Sequence, residues 1–282
     1  MAWTTTDDLE AFVTAAGGFL RARPVPNTLL LTTADNLRMR GGHTYGSGDP
    51  HFGWWRPDGG DVGGAFLRTP PHPAMLTDLP DEAIESLVEA LGDVPGFSAE
   101  RGLATRVAAA WTRRTGGEAG AGKGARLYRL GELTPPDPAP AGQARVATAA
   151  DRTLLISWYE QFTSELGEPA ENLAEAVDDR IASGGLTLWE VDGVPVSLAG
   201  HTRPIAGMAR VAPVFTPRDL RRRGYAAAAT AAVSRAAAAL ADDVLLFTDA
   251  ANPTTNALYR RLGYVPIQDR VVMSLTPAGP GA

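Results

Sequence analysis

Apolar positions along this chain switch between a period near two and a period near three and a half, so strands and helices are expected to follow one another throughout. In the first half, residues 27–33 and 52–56 are rich in aliphatic, aromatic and β-branched side chains and predict strands. Residues 57–60, Pro-Asp-Gly-Gly, predict a turn into a returning strand over 62–68. Ile84, Leu87, Val88 and Leu91 recur at helical spacing and predict a helix over 81–91; a second helix is expected over 99–113 and a closing strand over 126–130.

Residues 131–143 break the pattern. Four prolines in six positions favour an extended linker, which places a boundary between a domain over 1–130 and one over 144–282. Beyond it the expected order is strand 144–148, helix 151–165, helix 170–182, strand 186–191, a hairpin turn at Asp192-Gly193, strand 194–202 and a long strand 205–216. Pro213 lies inside the long strand; proline cannot donate to a ladder, so it marks a bulge, a place where strands part, or an edge. The next helix carries 11 alanines between 226 and 241, with Ala226, Ala229, Val233, Ala236 and Leu240 along the face expected to pack on a sheet. Pro253 opens one more helix, on which Asn252, Asn256 and Tyr259 share a side. The sum is an α/β protein with a mixed central sheet and flanking helices.

The stretch joining strand 205–216 to the alanine helix carries the clearest chemistry. Arg218, Arg221, Arg222 and Arg223 crowd the helix start, where the macrodipole is already positive and each cation is unfavourable by a few tenths to about 1 kcal/mol. An anionic ligand would offset them; a solvated charged face is the other reading. Gly224 lets a ligand approach the main chain, and the N–H groups of the first helical turn supply donors for phosphate oxygens.

The spacing Arg221-x-x-Gly224-x-Ala226 resembles the Q/R-x-x-G-x-G/A signature of the GNAT N-acetyltransferases, in which this turn cradles the pyrophosphate of acetyl-CoA. Alanine at 226 is a variant of the commoner glycine. A second block, Phe247 through Asn252, Asn256 and Tyr259 to Gly263-Tyr264, follows at the family's usual distance, so the resemblance covers about residues 144–275. It implies a GNAT fold there. The similar order of elements before residue 131, without the arginine turn, points to a degenerate first copy and so to two tandem GNAT-like domains. The resemblance further implies that a splay at Pro213 admits the pantetheine arm and that the backbone around Val214, Phe215 and Thr216 holds it. Arg221, Arg222, Arg223, Gly224, Tyr225 and Ala226 would take the pyrophosphate. Asn252 is read either as a helix cap alone or as a cap that also touches pantetheine. Tyr259 falls at the position of the family's general-acid tyrosine, with a buried packing residue as its other reading.

The implied activity is direct transfer of an acetyl group from acetyl-CoA to a primary amine of a small molecule or peptide. A non-catalytic acyl-CoA sensor and a transferase with a longer acyl donor stand as alternatives. Glu160, Glu165, Glu190, Asp249 and His201 are the candidate general bases.

Composition narrows this picture only at its edges. With 282 residues and 44% hydrophobic residues the chain is long enough for two cores. A net charge of −6 argues against nucleic acid or anionic membranes as partners. The absence of cysteine removes disulfides, thiolate-ligated zinc and a cysteine acyl-enzyme. His43 and His51 lack partners at ligand spacing, and no metal is expected. The first residues have neither a basic nor an apolar targeting segment, and a cytoplasmic location is expected. Residues 117–124 nearly spell a nucleotide-binding loop, but Gly124 replaces the required Ser/Thr, and a flexible loop is expected.

Overall fold

The computed structural model describes residues 2–167 and 172–278; the first two positions of the helix expected over 170–182 lie outside the described residues. One order of elements occurs twice. The first copy is β1 (Ala2–Thr6), α1 (Leu9–Ala22), α2 (Thr28–Arg40), β2 (His51–Arg56), β3 (Gly64–Arg68), β4 (Ala74–Leu76), α3 (Asp81–Leu91), β5 (Gly96–Glu100), α4 (Arg101–Thr115) and β6 (Glu118–Leu130). The second is β7 (Gln143–Val146), α5 (Arg152–Leu166), α6 (Leu173–Ala182), β8 (Leu186–Val191), β9 (Val194–His201), β10 (Met208–Phe215), α7 (Tyr225–Ala238), β11 (Asp243–Asp249), α8 (Pro253–Arg261) and β12 (Tyr264–Thr276).

The chain divides into two compact units, residues 1–125 with 268–282, and residues 126–267. The Pro-rich segment 131–143 falls inside the second unit, where Gly131 and Thr134 donate to the carbonyls of Gly263 and Leu262. In the first unit the strand order β1-β2-β3-β4-β5 continues into the end of β12; in the second, β7-β8-β9-β10-β11 continues into the end of β6. Each sheet is mixed: β4 and β5 are parallel, as are β10 and β11, and the other pairs with recorded register are antiparallel. A parallel pair needs a crossover, supplied by α3 in one unit and α7 in the other.

Residues 27–33 are not a strand. They open α2, whose buried Leu30, Leu31, Ala34 and Leu37 lie at helical spacing. A short apolar run has no readable period until its continuation is counted. The helix expected from residue 99 begins at Arg101, because Phe97 and Ala99 are buried in β5 and the Glu100 carboxylate caps the Leu103 N–H. Residues 118–124 are strand rather than loop, and their glycines permit close neighbours: a Cβ at Gly120 would lie 2.9 Å from the Ser274 hydroxyl. The long strand expected from 205 starts at Met208; Ile205 and Met208 bond to each other across a turn at Ala206 and Gly207, both with positive φ. On α7 the buried row is Ala229, Thr230, Val233 and Ala237, while Ala236 is exposed and Leu240 lies beyond the helix end.

The second unit's core has two parts. Ala209, Val211, Ala229, Val233, Leu246, Tyr259 and Tyr264 pack with α7 and α8. Leu155, Trp158, Val177, Leu188, Leu198 and Phe215 pack with α5 and α6. A buried side chain of this kind contributes about 1.5–3 kcal/mol, so these clusters hold β10 and both of its flanking helices as one frame.

Candidate active site

Strand β10 leaves its parallel partner partway along. The recorded pairs with β11 run from Met208↔Asp243 to Val211↔Leu246, although β10 extends to Phe215 and β11 to Asp249. On the other side the register with β9 shifts between Val211 and Val214, at Pro213. Arg180 of α6 donates to the Ala212 carbonyl at 3.0 Å and to the His201 carbonyl, satisfying acceptors where the ladder is broken. Both the bulge and the parting expected at Pro213 are therefore present. Beyond them Val214 and Phe215 face Ala199 and Leu198, and Ser197 donates to the Phe215 carbonyl at 3.0 Å and bonds the Thr216 hydroxyl at 2.8 Å.

The turn after β10 is built for exposed donors. Residues Arg218–Leu220 form a short 3-10 turn, Arg222 has φ 63° and Gly224 has φ 83°. Glycine tolerates that conformation without penalty and arginine does not, so the turn holds some strain at Arg222. No side chain caps α7 at Gly224, which leaves the first-turn N–H groups at Tyr225 and Ala226 without a capping acceptor. Arg221 donates to the Thr216 carbonyl at 2.8 Å and to both carboxylate oxygens of Glu165 at 2.7 Å. Arg218 donates to Glu165 at 3.0 Å, and Arg223 to the Asp219 carbonyl at 3.2 Å. The Arg222 side chain is exposed and makes no hydrogen bond among the described residues. Burial raises the pKa of Glu165, but the hydrogen bonds from Arg221 and Arg218 outweigh it, and the net pKa is below the ordinary value.

Helix α8 starts where β11 ends. The Asn252 carboxamide oxygen accepts from the Thr254 and Thr255 N–H groups at 3.1 and 3.2 Å, and Pro253 occupies the first helical position. Asn256, on the same side of the helix, is 6% exposed and fully committed. Its oxygen accepts from the Tyr128 hydroxyl at 2.7 Å, and its nitrogen donates to the carbonyls of Asp249 at 2.9 Å and Asn252 at 2.6 Å. Tyr259 is 8% exposed, with its ring 6.4 Å from that of Tyr128 and 6.0 Å from that of Tyr264. The hydroxyls of both neighbours are taken, since Tyr264 bonds Ser234 at 2.6 Å. None of the described residues bonds the Tyr259 hydroxyl. Burial pushes its pKa up to about 12. Tyr128 escaped the sequence reading because 128 positions separate it from Asn256.

The candidate bases divide. Glu190 accepts from Arg145 at 2.8 and 2.7 Å beside the edge strand β7. Glu165 is paired with the arginines, and His201 is buried with its ring bonded to the Thr202 carbonyl at 2.9 Å. Asp249 ends β11 and accepts from the Ala251 N–H at 2.8 Å; Glu160 is exposed on α5. Among the described residues no group of three or more acidic, histidine or cysteine side chains is placed to hold a metal ion, and no helix is long and apolar enough to cross a membrane.

The matching place in the first unit differs in charge and in filling. After β4 come Asp78 and Pro80, and α3 opens with Asp81 and Glu82. The recorded β4–β5 pairs are Ala74↔Phe97 and Met75↔Ser98. Just past them the guanidinium of Arg270, 3% exposed, donates to the Leu76 carbonyl at 2.9 Å and the Ser98 carbonyl at 2.8 Å. Burial pushes its pKa down to about 10.

Two copies of one element order, each with a parallel pair crossed over by a helix, form an arrangement found among solved structures. A GNAT-family acetyltransferase from Colwellia psychrerythraea aligns over 98% of this chain and 99% of its own, with 11% identity and a TM-score of 0.64. The chain carries the GNAT fold, in tandem. A tandem GNAT protein of the clavulanic acid biosynthesis pathway aligns over 99% of this chain and 100% of its own, with 14% identity and a TM-score of 0.57. A GCN5-related N-acetyltransferase from Sphaerobacter thermophilus covers 99% and 97%, with 16% identity and a TM-score of 0.56. The family model described as FR47-like protein matches residues 205–273, which hold β10, the arginine turn and α8. No curated protein matches the chain in sequence.

Proposed function

We propose that the second unit is an acyl-CoA-dependent N-acetyltransferase and that acetyl-CoA is its donor. The observation that carries this reading is the parting of β10 from β11 immediately before an uncapped, arginine-flanked helix start. An extended thioester arm fits unpaired strand edges, and a pyrophosphate fits first-turn N–H groups beside cations. Val214, Phe215 and Thr216 line the first, and Arg221, Arg222, Arg223, Gly224, Tyr225 and Ala226 the second, with Asn252 at the mouth of α8.

In the reaction an uncharged amine attacks the thioester carbonyl and the carbon–sulfur bond breaks. Backbone N–H groups of the parted strand stabilise the oxygen that gains charge. Tyr259 gives its hydroxyl proton to the leaving sulfur. With its pKa near 12 it keeps that proton at neutral pH. The proton lost by the amine restores the tyrosine through Asp249, Glu160 or water. A cytoplasmic location belongs to this reading, as does an acceptor that is a small or peptide amine rather than nucleic acid or membrane.

Thiol release from acetyl-CoA against a panel of primary amines tests the proposal; turnover above the background of every amine is expected with at least one. The burial of Tyr259 favours one other reading, a non-catalytic acyl-CoA sensor. Tight acetyl-CoA binding without thiol release from any amine would select it.

A further inference from the structure

One neighbour of Tyr259 comes from early in the chain. Tyr128 lies on β6, before the Pro-rich segment, and is 0% exposed. Its hydroxyl donates to Asn256 Oδ1, and this bond and the two donations from Nδ2 turn the carboxamide the same way. So oriented, Asn256 Nδ2 bonds the Asp249 carbonyl at the end of β11 and the Asn252 carbonyl at the start of α8. Strand end and helix start are thereby locked together. The Tyr128 ring also lies against that of Tyr259. If the Tyr128 hydroxyl were lost, Oδ1 would be buried without a donor, and turning the amide would only set that oxygen against two carbonyl oxygens, so the loss weakens the bracket between strand end and helix start.

We infer that Tyr128 is a positioning residue for the acyl transfer proposed above. Through Asn256 it sets the first turn of α8, the helix that carries Tyr259, and its ring packs against that of Tyr259. The inference rests on that proposal and adds that the end of β6, which precedes the Pro-rich segment in sequence but belongs to the second unit, completes the site.

Tyr128→Phe keeps the ring and removes the donor. With the amine that gives the fastest thiol release, kcat is expected to fall roughly tenfold, while KM for acetyl-CoA and calorimetric affinity for CoA stay within about twofold, since the arginine turn is untouched. In a Tyr259→Phe background the same change is expected to have no further effect on kcat, because its path runs through the Tyr259 hydroxyl. Amide hydrogen exchange, which needs no acceptor, is expected to rise at residues 254–256 and not along α7. Wild-type kcat, an undiminished effect in the Tyr259→Phe background, or unchanged exchange at 254–256 would each overturn the inference. If Tyr128→Phe does not fold, Asn256→Ala removes the acceptor instead and is carried through the same measurements with the same deciding outcomes. The failure of the functional proposal looks different: no amine is turned over, or Tyr259→Phe alone keeps wild-type turnover.

Discussion

Glu165 holds Arg221 with both carboxylate oxygens at 2.7 Å and reaches Arg218 with one of them at 3.0 Å. Arg221 of the proposed pyrophosphate turn is thus already paired with an anion from α5. A pyrophosphate must share or displace that carboxylate.

Glu165→Gln is therefore expected to tighten CoA binding about three- to tenfold, up to roughly 1 kcal/mol, the usual ceiling for a partly exposed ion pair. The gain should shrink with added salt. Because the arginines hold the Glu165 pKa below its ordinary value of 4.5, the carboxylate stays charged at neutral pH and wild-type affinity gains nothing from its titration between pH 5 and 8. Calorimetry showing equal or weaker binding by the glutamine variant would mean that Glu165 braces the turn instead of competing for it.

A different carboxylate governs acid stability. Asp151 caps the turn before α5 and receives two bonds from Arg145, at 2.8 and 2.9 Å. Its pKa is lowered from 3.8 to about 2, first by those bonds, against burial, and then by the Thr148 N–H and hydroxyl. A depressed carboxyl pKa contributes stability that is fully present above pH 4 and lost as pH falls from about 4 towards 2. The shift corresponds to about 2 kcal/mol. Asp151→Asn should lose about that much at pH 7 in urea unfolding and should flatten the decline between pH 4 and 2. An unchanged pH dependence would assign the acid transition to other carboxylates.

Gly224 has φ 83°, and a Cβ there would meet Pro140 only at an ordinary 3.5 Å. The obstacle to a side chain is then the backbone conformation and the ligand's space, not a neighbour in the protein. Gly224→Val should weaken CoA binding at least tenfold while leaving the melting temperature within a few degrees, since the left-handed penalty is about 1–2 kcal/mol. CoA affinity equal to wild type in the folded variant would place the pyrophosphate elsewhere.

One CoA per chain is expected. The first unit replaces the arginine turn with Asp78, Asp81 and Glu82, and Arg270 occupies the carbonyls just past the β4–β5 pairing. A calorimetric stoichiometry of two would show that a ligand displaces this buried arginine.

What was legible in the sequence was local. Asp192-Gly193 announced its hairpin, Asn252-Pro253 its helix start, and Pro213 its broken ladder, because in each case one or two residues constrain their own backbone. The arginine turn was readable for the same reason. Nothing in the spacing of Glu165 shows that α5 ends beside Arg221. The Tyr128–Asn256 bond and the Arg270 plug join residues 128 and 194 or 172 positions apart, and no periodicity carries such information. Residues 27–33 have an apolar content that suits either element, and the buried Ala34 and Leu37 further along α2 show the helical period.

Among the described residues the Tyr259 hydroxyl has no partner, while those of its ring neighbours Tyr128 and Tyr264 are bonded to Asn256 and Ser234. That hydroxyl is open to a ligand group that can accept its proton. The departing thiolate is such a group. Tyr259→Phe is expected to leave CoA affinity within about tenfold, the worth of one ground-state hydrogen bond, and to lower kcat by about 10²–10⁴, the usual loss of a positioned general acid. Because the pKa is pushed up to about 12, the acid form persists through pH 10, and wild-type turnover should show no alkaline fall below that pH from this group. The measurement is kcat and KM for acetyl-CoA across pH 6–10 for both proteins with the same amine. Equal turnover across that range would make Tyr259 a packing residue and leave the thiolate to depart unassisted.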